Sequence, residues 1–400
     1  MTATTDHVPS VAEFDLDPFS HEFLSDPYPF HDQIREGGPV VRLRHYNIWA
    51  TARHEQVFAA LTDPETYCSG AGVGLTDFRK EKPWRPPSLL LEADPPNHTQ
   101  VREVMSTVLS LRAIRALRET FTAKADELVD QLVARGRFDA VRELANVFPL
   151  QVFPDAIGLP EEGRENLMPY GNMAFNGFGP RNDLFDVAMA DAARVTEWIM
   201  SCCQRENLAP GGLGQDIWAA VDRGEITDQQ APLLVRSLLS AGVDTTVYGL
   251  GNALVTLASH PDEWAKVREK PALAKLAFEE AIRFESPVQT FFRTTTRDVD
   301  LGGVRLGEGE KVLLFLGAAN RDPRKWEDPA RFDVTRKAAG HVGFGFGIHG
   351  CVGQQMARLE GDVVLTTLSR RAHKLELTGD PTLKLNNTLR GFSSAPVEVG

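Results

Sequence analysis

Apolar residues recur at helical spacing through much of the chain. Leu233, Leu234, Leu238, Leu239, Val243 and Val247 mark one face of a long helix predicted over 231–259. Thr227 to Gln230 offer capping side chains before it, and Glu225 adds negative charge at that end. The same spacing predicts helices over 101–109, 114–132, 191–203, 278–284 and 352–373. Strand patterns are short, at 40–43, 312–316 and 375–377, with two interrupted apolar segments at 47–52 and 298–306. Turn chemistry gathers in 83–96, which holds five prolines, in 207–214 and in 320–336, none long enough for a linker. The pattern predicts one mainly α domain over 1–400, with small β-sheets.

Composition narrows the function. Lys plus Arg number 43 against 55 Asp plus Glu, a net charge of −12, the wrong sign for gripping nucleic-acid phosphates. No apolar run approaches the roughly 18–20 residues of a membrane span. The first residues, with Asp6, Glu13, Asp15 and Asp17, lack the basic start of an export signal. Four cysteines, Cys68, Cys202, Cys203 and Cys351, are too few and too unevenly spaced for a disulfide framework. The expectation is a cytoplasmic protein whose special cysteine is a ligand or nucleophile.

The segment Phe344-Gly345-Phe346-Gly347-Ile348-His349-Gly350-Cys351-Val352-Gly353 holds the most chemistry. It contains a G-x-G-x-x-G from Gly345 to Gly350, with Glu376 downstream. The dinucleotide reading requires a preceding hydrophobic strand, and residues 337–341 are not one. Centred on Cys351, the glycines let backbone approach a flat ligand, and a helix starting near Val352 aims its N–H groups at the sulfur. Both favour a thiolate.

This pattern resembles the haem-binding loop of the cytochrome P450 family. Glu280-Ala281-Ile282-Arg283, about seventy residues earlier, resembles that family's ExxR helix, its two charged residues on one face. The resemblance implies the family's single triangular, helix-rich fold and a partner for the ExxR pair within 320–336. It implies haem b, with Cys351 as axial thiolate to iron. His98, Arg102, Arg293 and His349 then hold the propionates, while Ala241, Gly242, Phe344 and Gly353 lie against the ring.

Ala241-Gly242-Val243-Asp244-Thr245-Thr246 interrupts an apolar helix with residues that are locally unfavourable there. Thr245 can bond back to the Ala241 carbonyl and bend the helix. The resemblance makes Asp244 and Thr245 the catalytic acid–alcohol pair that relays protons during O2 activation. Ser237, Ser240 and Asp244, at i, i+3 and i+7, are expected on one face.

Segments 81–88, 174–180, 231–242 and 285–297 resemble the bacterial monooxygenases of para-substituted benzoates. The substrate is then a small aromatic carboxylic acid whose polar end meets Arg85, Ser88, Arg236, Ser237 and Ser240. Leu91, Phe175, Phe178, Val288 and Phe291 supply apolar walls, with Phe175 and Phe178 in a mobile lid. The implied partners are O2 and a [2Fe–2S] ferredoxin with an FAD-containing reductase fed by NAD(P)H; the expected state is a monomer. Arg112, Arg115 and Arg118, with Arg336 and Lys337, form a candidate basic docking patch. Another small acid or a terpenoid as substrate, and a haem-binding sensor without chemistry, are the alternatives.

Overall fold

A proline or a capping serine sets several helix boundaries that periodicity alone misplaces. The helix expected over 114–132 starts at Leu111, where Ser110 accepts the Ala113 N–H. It then breaks at Leu117, giving Leu111–Ala116 and Arg118–Arg135. The computed structural model describes residues 11–400, so Asp6 lies outside the described residues. Helices Asn97–Val108, Ala192–Cys202, Ala274–Glu285 and Gln354–Arg371 lie where the pattern places them.

The long central pattern is two helices, Gln230–Ala241 and Asp244–Ala258, separated at Gly242 and Val243. A side chain at Gly242 would overlap the Phe153 ring, so glycine permits the close packing at the break. From Thr246 to Ala258 the second helix is buried throughout, as expected for an element running through the core. It packs on Ala274–Glu285 and Gln354–Arg371, and the latter also packs on Arg118–Arg135.

The largest sheet is six-stranded, in the order Glu13–Phe14, Val41–Leu43, Ile48–Thr51, Lys311–Phe315, Thr290–Thr295, Tyr67–Cys68. Both interrupted segments form strands: Ile48–Thr51, and the hairpin Val299–Leu301 with Val304–Leu306 turning at Gly302-Gly303. Strand Thr290–Thr295 was not predicted. It pairs Phe291 with Leu314 and Arg293 with Val312, so both residues point to the same face.

A chain of hydrogen bonds joins the ExxR helix to the cysteine loop. Arg283 clasps Glu280 through two 2.8 Å bonds and donates to the Asn320 carbonyl at 2.8 Å. The Asn320 side chain accepts the Val342 N–H at 2.7 Å. The Val342 carbonyl accepts from Gly345, and the Phe344 carbonyl accepts from Cys351 at 2.7 Å. Gly345 and Gly347 have φ of 65° and 67°, the left-handed backbone this loop needs.

Candidate active site

The cysteine loop, the broken helix and strand Thr290–Thr295 border a largely apolar cavity of about 240 Å³. Cys351, Phe344 and Gly353 line one side of it. Burial pushes the Cys351 thiol up, opposed by the Gly353 N–H, Arg102, Arg358 and the Gln354 N–H. The chain alone thus favours a thiol, and a coordinating metal is what deprotonates such a group.

At the edge of this region stand four basic side chains. Arg102, Arg293 and His349 line the cavity; His98 stands behind, its ring centroid 4.4 Å from that of His349. His349 Nδ1 donates to the Leu90 carbonyl at 3.0 Å, while Nε2 of both histidines is buried without a partner. Burial, together with Arg293, His98 and Arg102, lowers His349 to about 3. Burial also lowers Arg293 to about 10. Arg293 Nη1 donates only to the neighbouring Phe292 carbonyl, at 2.8 Å. Arg293, buried, and Arg102, half-buried, keep unspent donors here. A group that brings carboxylates, as the haem expected here does, would pair with them and favour protonation of the two histidines.

Ala241, Gly242 and Thr245 face the same space across from Cys351. Thr245 Oγ1 donates to the Ala241 carbonyl at 2.6 Å, and Thr246 Oγ1 to that of Gly242 at 3.1 Å. Each hydroxyl satisfies a carbonyl freed by the helix break. Asp244 does not share the face of Ser237 and Ser240. The break turns its carboxyl away from the cavity toward Gly171, where both oxygens are buried without partners. Burial raises it to about 7, against the pull of Lys384.

The far end of the cavity is polar. Arg85, Ser88, Ser237 and Ser240 line it. Ser88 Oγ lies 3.4 Å from Ser237 Oγ, and Ser237 donates to the Leu233 carbonyl at 2.9 Å. Arg85 Nη1 donates to Glu92 at 2.9 Å, while its buried Nε has no partner. Arg236 lies outside the lining. It points 100° around the helix from Ser237 and donates to the Pro86 and Pro87 carbonyls at 2.9 and 3.3 Å. It holds the proline loop rather than facing the cavity.

Apolar walls join the two ends. Leu91, Val288, Phe175, Phe178 and Phe291 line them, with Phe178 centroids 5.8 Å from Phe175 and 5.7 Å from Phe291. The segment expected as a mobile lid is fastened: Phe175 O accepts from Thr388, Asn176 Oδ1 from Asn387 N, and Phe178 O from Leu75 N. Glu92 and Phe153 escaped the sequence reading, because nothing in their spacing reveals burial. Arg336 leaves the candidate docking patch, since its guanidinium is spent on Glu280 and three backbone carbonyls.

The cytochrome P450 family model matches residues 272–398. The whole chain is 56% identical to cytochrome P450 CYP199A2 of Rhodopseudomonas palustris, covering 97% of that protein. It is 33% identical to cytochrome P450 107B1 of Saccharopolyspora erythraea, across 99% of this chain and all of that one. Cytochrome P450 CREJ, solved in complex with (4-ethylphenyl) dihydrogen phosphate, superposes with a TM-score of 0.86 at 26% identity, over 96% of this chain and 99% of that one. Likeness of this extent, running from end to end of the sequence and through the same fold, makes this chain a member of the cytochrome P450 family.

Proposed function

We propose that this monooxygenase oxidises small para-substituted benzoic acids. The principal reaction is O-demethylation of 4-methoxybenzoate to 4-hydroxybenzoate; a para-alkyl group is hydroxylated instead. Family membership already sets the sensor alternative aside. Cys351 would ligate the haem iron, and His98, Arg102, Arg293 and His349 would hold the propionates. When bound, haem b supplies reductive O2 activation and insertion of one oxygen atom into a C–H bond. The balance is substrate, O2, two electrons and two protons giving hydroxylated product and water; a hydroxylated methoxy carbon then departs as formaldehyde.

The remaining work falls to the chain's own side chains. Ser88 and Arg85 offer donors to a carboxylate at one end of an otherwise apolar cavity, and Ser237 does so by turning its hydroxyl from the Leu233 carbonyl. Phe175, Phe178 and Phe291 hold the ring, so the para group extends toward Thr245 and Cys351. Ser237 and Thr245 are eight residues apart on the broken helix, roughly 12 Å at the usual helical rise, a span suited to one ring with a short substituent. Asp244, raised to about 7 by burial, would relay protons by turning its carboxyl from Gly171 toward the cavity, and the Thr245 hydroxyl would orient their delivery. CREJ's aryl phosphate, a para-alkylphenyl anion, is a ligand of the same kind.

Electrons arrive from a [2Fe–2S] ferredoxin and its FAD reductase, docking beside exposed Arg112 and Arg115; Arg118 is paired with Asp362 at 2.8 Å. Among the described residues, no helix is long and apolar enough to cross a membrane. The enzyme works as a cytoplasmic monomer.

The observation that carries the substrate reading is the gathering of Arg85 and two neighbouring serine hydroxyls at one end of an otherwise apolar cavity. Titration of the holoprotein with 4-methoxybenzoate tests it. The expected result is a low- to high-spin shift of the Soret band; no shift with any para-substituted benzoate, while a terpenoid gives one, overturns it.

A further inference from the structure

A buried carboxylate stands behind Arg85 at the polar end of the cavity, where an anionic substrate is to be received. Glu92 Oε2 accepts from Arg85 Nη1 at 2.9 Å and from the Ser88 N–H at 2.7 Å; its side chain is 2% exposed. Arg236 reaches the same loop through the Pro86 and Pro87 carbonyls, and is buried with no carboxylate partner among the described residues. Two guanidiniums and one carboxylate therefore share this corner. Lys311 feels the Glu92 charge as well, so the corner keeps a positive charge that Glu92 limits and that a substrate carboxylate offsets.

We infer that Glu92 is a specificity-determining residue that sets the charge of the substrate's anion subsite to accept a monoanion. This rests on the benzoate reading above. Without Glu92, the cations would confront one carboxylate in a poorly screened site, and substrate and product, both monoanions, would each be held more tightly. With it, the subsite remains cationic enough to reject neutral esters and amides, yet releases 4-hydroxybenzoate. Glu92 also fixes geometry: it holds Arg85 Nη1, so that the rest of the guanidinium is left for the ligand, and it accepts from the Ser88 N–H. It touches neither the substrate nor the reacting atoms.

Glutamine is nearly isosteric and keeps an acceptor for both bonds, so Glu92→Gln removes charge with little change of shape. Spin-state titrations of wild-type and Glu92→Gln holoenzyme with 4-methoxybenzoate, 4-methoxybenzamide and the dianionic 4-methoxyphenylphosphonate separate the effects. The variant is expected to bind the benzoate about tenfold tighter, to leave the amide unchanged, and to gain most for the phosphonate. Its kcat falls as product release slows, while Glu92→Asp retains the wild-type acid-to-amide ratio. A merely structural role would weaken acid and amide alike. An unchanged acid-to-amide ratio in Glu92→Gln overturns the inference. A wild-type enzyme that binds no benzoate instead fails the substrate reading, and the inference falls with it.

Discussion

Arg336 Nε donates to Glu280 Oε1 at 3.0 Å across 56 residues of sequence, making it the third member of the ExxR cluster. Glu280 thereby faces two guanidiniums, and Arg283 spends its remaining donors on the Asn320, Pro329 and Arg331 carbonyls. The cluster anchors the bonds leading to the Cys351 loop. Glu280→Gln leaves two buried cations undercompensated, a cost of about 3–5 kcal/mol. The expected outcome is a large loss of haem-containing protein and a lower Tm. Arg336→Lys, which keeps the charge but not the fork, loses less.

Thr245→Ala separates electron consumption from product. The hydroxyl gives its hydrogen to the Ala241 carbonyl, leaving its oxygen facing the cavity to receive and pass protons. Without it, NAD(P)H oxidation continues while product per NAD(P)H falls about tenfold or more. The missing electrons appear as hydrogen peroxide, which a coupled peroxidase assay measures.

Asp244 makes stability depend on pH. Its folded value of about 7 lies above the ordinary carboxylate value, so the folded protein keeps a proton that the unfolded chain releases. The resulting contribution is full below about pH 4 and is lost as pH rises through about 7, with a ceiling of roughly 4 kcal/mol. The Tm of Asp244→Asn holoenzyme should therefore fall less than that of wild type between pH 5 and 8. Parallel curves would assign the proton elsewhere. Tyr248 and Lys384 are the titratable neighbours common to both proteins.

The cysteine loop, the ExxR helix and the interrupted Ala241–Thr246 segment were legible in sequence because each breaks a local rule of helix or turn chemistry. What sequence could not supply was direction. Arg236 and Ser237 are neighbours, yet one holds a loop and the other lines the cavity. Ser240 and Asp244 fit one helical face only while the helix is continuous; the break at Gly242 and Val243 separates them. Strand Thr290–Thr295 carries Phe291 and Arg293 into the site but is buried at nearly every position, so it shows no alternation.

Ser88→Ala and Ser237→Ala test the carboxylate end. Removing either hydroxyl leaves a substrate oxygen short of a donor, costing about 1–3 kcal/mol. The Kd for 4-methoxybenzoate should rise about tenfold or more, while that for a para-methoxy ester changes little. Equal losses for acid and ester would place the carboxylate elsewhere.

Ligation of a haem iron by the Cys351 sulfur is read out by the reduced, carbon monoxide-treated spectrum. Wild-type protein should show a red-shifted Soret band of the thiolate-ligated type, absent from Cys351→Ala and Cys351→His. A haem-free wild-type preparation under ample haem supply, or a Cys351→Ala spectrum identical to wild type, would contradict it.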